Sequence, residues 1–386
     1  MTGFSVAKLW KNKKRRVLVI SGGGPQSGIQ CIYFSFSGTW EILGHAMVPY
    51  PQRVTALLEK FSSGTVDQFK TSELAWLDLK ITQLMAECAK TTLASAPRSA
   101  SLPHLIVLNK LLLWKGATGE NSQQQNWDLN VGDAQYIASA FNVPVISDFT
   151  RNNMIAGGNG TLPVNPGNLA IVSKDPGISI LVNIGVFSQT TIVDTSKSAI
   201  LSDSVTGPGT CLIDKTVREL SENETFDRDG TLAAQGCVDG NCLDTLVTSP
   251  WFLQNGSKTA TADQFDELLD TPSLKALSPY DRLATVTALT AKAVYNYYRT
   301  EYKETTQPDR IYLSGGGANN LTLQEYLKAY FQTIPIKSID SLGIPMDMRI
   351  PFALGLTVNS FISGVNIPFE SGPAPKISSI GRWYFS

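Results

Sequence analysis

The segment ISDFTRNNMIAGGNG, Ile146 to Gly160, holds Asp148, Arg151, Asn152 and Asn153 ahead of Gly157, Gly158 and Gly160. An aspartate, a guanidinium and two amides before a glycine turn suit hydrogen bonding to a polar substrate. Asp148 is the one side chain there that could act as a base at neutral pH. A second glycine turn, SGGGANN from Ser314 to Asn320, has Gly315, Gly316 and Gly317 in a row. Glycines let backbone N–H groups approach a phosphate closely. His45 and His104 are the only histidines, too few for a histidine-built metal site or a Ser-His-Asp triad, and both lie in apolar strand patterns that point to structural roles. The five cysteines, Cys31, Cys88, Cys211, Cys237 and Cys242, show no C-x-x-C spacing and read as free thiols.

The chain has 386 residues, 42% hydrophobic and 17% charged, enough for one large or two medium domains. With 32 basic and 33 acidic residues its net charge is −1, so no global field favours nucleic acid or an anionic membrane. No run reaches the roughly 18 apolar residues of a membrane span, and the N-terminus lacks a secretory pattern, so a cytoplasmic protein is expected. The run KNKKRR, Lys11 to Arg16, reads as a solvated lead-in to a strand.

Strand patterns at VLVIS (17–21), IQCIYFSFSG (29–38) and WEILGHAMV (40–48) form a meander. Helical stretches follow from Pro51 and over Thr65 to Lys90, then the strand HLIVLN (104–109), the helix DAQYIASAF and the strand NVPVISDF (142–149). The pattern restarts at ISILVNIG (178–185), FSQTTIVD (187–194) and a short SAIL. It continues through the helices CLIDKTVREL and YDRLATVTALTAKAVYNYYRTEY, the strand of DRIYLSGGG, the helix LTLQEYLKAYF, the strand TIPIKSI and a helix after Pro351. Two copies of strand meander, helix, strand and helix predict an α/β protein of two lobes around a central cleft. The lobes are expected at 1–165, with 366–386 available to complete it, and 166–365. This order resembles the duplicated, ribonuclease H-like layout of the actin-like ATPase and sugar-kinase superfamily.

SGGGANNLTLQEYL followed by DSLGIPMD resembles the "CGGGAxNPxL … DELGIP" signature of the anhydro-N-acetylmuramic acid kinases and the related levoglucosan kinase. ISDFTRNNMIAGGNGTLPV resembles their "DFRxxDxAAGGQGAPLVP". SGGGPQSGIQ, NIGVFSQTT, VTGPGTCLID and FDRDGTLAAQGCVD match further family motifs in the preserved order. The resemblance implies ATP- and water-dependent opening of a 1,6-anhydro bond with phosphorylation of the sugar. It also implies that Gly315, Gly316 and Gly317 lie at the nucleotide.

On the same resemblance, Asn153 takes the place of the family's catalytic aspartate. Ser27 and Gln30 stand for two aspartates of the first loop, Val205 for an aspartate, Thr210 for an asparagine and Ala262 for an arginine. Arg349-Ile350-Pro351-Phe352 shortens a segment that carries a glutamate, and Asn109, Lys110, Leu111 and Leu112 occupy a sugar-contacting motif. These replacements predict a repurposed fold with no metal or cofactor. It would hold a small hydrophobic molecule between Leu111, Leu112, Val186, Phe187, Val205 and Trp114 and catalyse a cofactor-free cyclisation or isomerisation, such as a pericyclic ring closure in natural-product biosynthesis. Arg151, Asn152, Asn153, Asn109 and Lys110 are the expected hydrogen-bonding residues. The alternatives are a pseudokinase that binds a ligand or partner, and a surviving anhydrosugar kinase in which Asp148 or Asp214 serves. A homodimer is a further expectation, from the family alone.

Overall fold

The computed structural model describes residues 14–25, 27–62, 70–115, 128–156, 160–221, 223–254, 256–258, 260, 264–302, 306–364 and 380–386. Two compact units emerge, Met1–Ala170 with Ile350–Ser386, and Ile171–Arg349. The second division falls at 349/350, ahead of the expected 365/366. The reason is the helix Arg349–Ile362: its Phe352 sits edge-on to Phe34 and to Trp40 of the first unit, with ring centroids 5.0 Å apart in each pair.

The first unit opens with β1 (Arg15–Gly22), β2 (Ile29–Phe36) and β3 (Trp40–Val48), an antiparallel meander. The helix Thr71–Ser95 packs Leu77, Ile81, Leu84, Met85 and Cys88 into the core beside it. β4 (Leu105–Asn109) then pairs parallel to β1. β5 (Leu111–Lys115) and β6 (Asp128–Val131) form a separate antiparallel pair. β7 (Val145–Ser147) pairs parallel to β4, giving the order β7-β4-β1-β2-β3. β1 and β4 are central and covered on both faces, which is why they read as unbroken apolar runs.

The second unit repeats the design. β8 (Ile178–Ile184), β9 (Phe187–Asp194) and β10 (Ala199–Pro208) form an antiparallel meander. β11 (Arg310–Ser314) lies parallel to β8, and β12 (Ile336–Ser338) lies parallel to β11. The order β12-β11-β8-β9-β10 therefore matches that of the first sheet strand for strand. This duplicated α/β topology is the actin-like, sugar-kinase fold. The expected SAIL strand is the start of the ten-residue β10, whose last residues include the Thr206-Gly207-Pro208 of the TGPG turn.

The last strand, β13 (Arg382–Tyr384), adds antiparallel to β7 with Arg382 opposite Ser147 and Tyr384 opposite Val145. The chain end thereby becomes the edge of the first sheet. Among the described residues no helix is long and apolar enough to cross a membrane.

Candidate functional site

In the first unit the parallel strands β4 and β7 end side by side, and the residues that follow them meet. Asn109 closes β4 in register with Ser21 of β1 and donates from Nδ2 to Ser21 Oγ at 3.0 Å. Lys110 follows, and its Nζ lies 2.8 Å from Asp148 Oδ1. Asp148 comes directly after β7 in the left-handed region, φ 62° and ψ 35°, and heads the short helix Phe149–Ile155. An aspartate tolerates that conformation better than most residues, at a modest cost that persists where the surroundings fix it. Tyr384 of β13 donates its hydroxyl to Asp148 Oδ2, and Lys110 Nζ sits 5.6 Å from the Tyr384 ring centre.

Burial alone would raise the Asp148 carboxyl, but hydrogen bonds from Lys110 and Tyr384, with the Lys110 and Arg151 charges, outweigh it and bring the group below its ordinary range. It is a carboxylate at neutral pH. Tyr384 is pushed up to about 12 by burial and by its bond to that charge.

The other predicted residues of the loop have local partners. Arg151 donates from Nε to Asp128 Oδ1 at 2.9 Å and from Nη2 to the Asp128 carbonyl at 3.2 Å. The Asp128 side chain is 2% exposed, against 53% for Arg151, so the guanidinium caps a buried carboxylate at the start of β6. Asn130 also donates to Asp128. Asn153 is buried, and its Oδ1 accepts from the Gly160 backbone N–H at 2.7 Å. Asn152 is half-buried, and its backbone N–H donates to the Asp148 carbonyl at 2.9 Å. Lys110 and Asp148 are thus brought together, while Arg151 is turned to Asp128 and Asn153 to the loop's own backbone. Gly157 and Gly158 lie outside the described residues.

In the second unit, Gly315, at φ 85°, and Gly317 press on the end of β8. A Cβ on Gly315 would meet the Ile184 carbonyl oxygen at 2.5 Å, and one on Gly317 would strike the Ile184 and Thr210 side chains. Gly316 differs: it is exposed, and the nearest atom to its Cβ position is Asp347 Oδ1 at 3.8 Å. The β8–β9 turn is tied to the next glycine turn, since Gly209 N–H donates to the Val186 carbonyl at 2.9 Å and Thr210 N–H to the Gly185 carbonyl at 2.8 Å. Thr210 Oγ1 then donates to Asp214 Oδ2 at 2.8 Å. Burial raises Asp214 to about 6, partly opposed by the Thr210 hydrogen bond and the Arg218 charge.

The apolar residues expected to wall a hydrophobic cavity are mostly core. Leu111 is buried in the first unit's core, and Val186, Phe187 and Val205 pack against a core cluster of the second. Leu112 is exposed, and the Trp114 side chain and Ala262 lie outside the described residues. His104 is structural: its Nδ1 accepts from the Arg16 backbone N–H at 3.0 Å. The KNKKRR run is not a purely solvated lead-in either. Arg15 is buried and donates to Asn359 Oδ1 at 3.1 Å and to Ser363 Oγ at 2.6 Å, while Lys11, Asn12 and Lys13 are outside the described residues. Two partners escaped sequence reasoning. Asp128 has no motif around it, and Tyr384 was signalled by nothing more than the aromatic Trp383-Tyr384-Phe385 run.

The model of the family described as anhydro-N-acetylmuramic acid kinase matches residues 14–385. An anhydro-N-acetylmuramic acid kinase of Rhodopseudomonas palustris strain CGA009 is 30% identical over 75% of this chain and 80% of its own length. That of strain HaA2 is 32% identical over 63% of this chain and 64% of that relative. One from Caldanaerobacter subterraneus is 25% identical over 95% of this chain and 96% of its own. These matches overturn the expected cofactor-free cyclase of natural-product biosynthesis, and the pseudokinase with it. The physical error was to read Leu111, Val186, Phe187 and Val205 as pocket lining when they are packing. By a match that runs through both units, the chain belongs to the anhydro-N-acetylmuramic acid kinase family.

Proposed function

We propose that the protein is an ATP-dependent kinase of a 1,6-anhydro sugar, of the kind its relatives' names describe. The observation that carries the reading is the family match over residues 14–385, which takes in both the Asp148 loop and the Ser314–Asn320 turn. Water attacks the anomeric carbon, and the anhydro oxygen leaves that carbon and takes the γ-phosphoryl group. ADP departs, and the water's proton passes to a carboxylate. We assign that role to Asp148, the ionised carboxylate at the head of the loop; its two donors fix its orientation and lower its proton affinity, so it serves as a weak base.

The exposed Gly316 fits a nucleotide's close approach, because no atom lies closer than 3.8 Å to its Cβ position. When bound, Mg²⁺ would neutralise charge on the phosphates, which supply much of its coordination beside one or two carboxylates. Among the described residues no group of three acidic, histidine or cysteine side chains is placed to hold a metal.

ADP release with saturating ATP and Mg²⁺ tests the reading, with levoglucosan and 1,6-anhydro-N-acetylmuramic acid as acceptors. Sugar-dependent release with one of them is expected, reduced by roughly 10²- to 10⁴-fold in Asp148→Asn. Release that ignores both sugars would sink the proposal.

A further inference from the structure

Asp148 is gripped from two chain segments far from it and from each other in sequence, one after β4 and one on β13. Lys110, just past β4, binds Oδ1 at 2.8 Å, and Tyr384, on the terminal strand β13, binds Oδ2. The backbone at Asp148 is in the left-handed region. Tyr384 is itself fixed in place. β13 pairs with β7, the Gln135 side chain donates to the Phe385 carbonyl at 2.7 Å, and Ser386 Oγ donates to Asn142 Oδ1 at 2.8 Å. Trp383 and Phe385 stack with centroids 6.2 Å apart. A strand at the edge of a sheet gains little from three residues of pairing, yet this one delivers a phenol to the oxygen that Lys110 leaves open.

We infer that Tyr384 is a positioning residue, which with Lys110 fixes the orientation of the Asp148 carboxylate at the head of the loop, so that the C-terminal strand is part of the active-site architecture. The inference rests on the proposed kinase reading for its catalytic consequence. The charged and titratable groups around this carboxylate are Lys110, Arg151 on the following helix, and the neutral Tyr384 phenol. Arg382 and Asp133 act on that phenol, and Asp128 holds Arg151.

Tyr384→Phe in the full chain removes one donor and keeps the ring. Its expected effects are a kcat about tenfold lower with KM for ATP unchanged, and an acid limb of the pH profile moved to higher pH, since Asp148 then protonates more readily. Lys110→Met should move the limb the same way and serves if Tyr384→Phe does not fold. Carboxyl carbon NMR, with Asp148 assigned through Asp148→Asn, should show its titration midpoint rising in Tyr384→Phe. An unmoved midpoint and an unmoved acid limb overturn the inference. A wild type without sugar-dependent turnover defeats the kinase reading instead, and the carboxyl titration then decides the role of Tyr384 by itself.

Discussion

Asn153 Oδ1 accepts the Gly160 backbone N–H at 2.7 Å, so a buried amide joins two residues seven positions apart. On the family resemblance a catalytic aspartate is expected at this position; in the structure the amide ties Asn153 to Gly160. An amide and a carboxylate are equally able to accept that N–H, so this bond does not depend on which is present.

Asn153→Asp is therefore expected to fold normally and to raise sugar-dependent turnover, by up to roughly 10²-fold, because a desolvated carboxylate there has a proton affinity suited to neutral pH. Asn153→Leu leaves the Gly160 N–H without its acceptor and should cost about 1–3 kcal/mol in a denaturant titration. A wild-type rate in Asn153→Asp would remove position 153 from the chemistry.

Arg151 is a stabiliser of Asp128 before it is anything else. Arg151→Ala strips one hydrogen bond from the buried Asp128 carboxylate, at 2.9 Å, and one from its backbone carbonyl, at 3.2 Å. With the guanidinium 53% exposed, the cost is discounted for solvent to about 1–2 kcal/mol. KM for the sugar should change little. A large rise in KM with unchanged stability would restore Arg151 as a substrate ligand.

Asp214 gives a pH dependence with a definite sign. Its folded-state value, about 6, lies above the ordinary 3.8, so the folded protein favours the protonated form. The stability this group contributes is fully present below about pH 4 and is lost as pH rises through 6. Asp214→Asn should stabilise the protein at pH 7.5 by up to about 3 kcal/mol and give no gain at pH 4. Urea midpoints at the two pH values measure this, and equal effects at both would show that burial does not govern the group.

The duplicated topology was legible because central strands such as β1, β4 and β8 are buried on both faces and announce themselves as apolar runs. The same signal misled at Leu111 and Val205, since an apolar residue beside a motif looks alike whether it faces a ligand or the core. The β5–β6 pair was missed because the strand was ended at Asn109 and Leu111 and Leu112 were given to a sugar-contacting motif, whereas Lys110 lies between β4 and β5 with its ammonium on Asp148. Tyr384 lies 236 positions from Asp148, a separation no periodicity can bridge. Partners such as these become visible when β13 is seen to pair with β7.

The three glycines of the Ser314–Asn320 turn make opposite predictions despite being adjacent. Gly315 needs its positive φ and has the Ile184 carbonyl against it, and Gly317 is closed in by Ile184 and Thr210, so Gly315→Ala and Gly317→Ala must displace backbone or buried side chains. Each should lower stability by roughly 1–3 kcal/mol. Gly316→Ala meets nothing closer than 3.8 Å and should leave the melting temperature of the free protein unchanged. If the exposed face of the turn receives the nucleotide, the added methyl stands where a phosphate or its hydrogen-bonding backbone must come close. ATP should then protect Gly316→Ala from thermal unfolding less than it protects the wild type, with KM for ATP raised about tenfold or more. Equal protection by ATP in both proteins would show that this turn serves packing and that the nucleotide binds elsewhere.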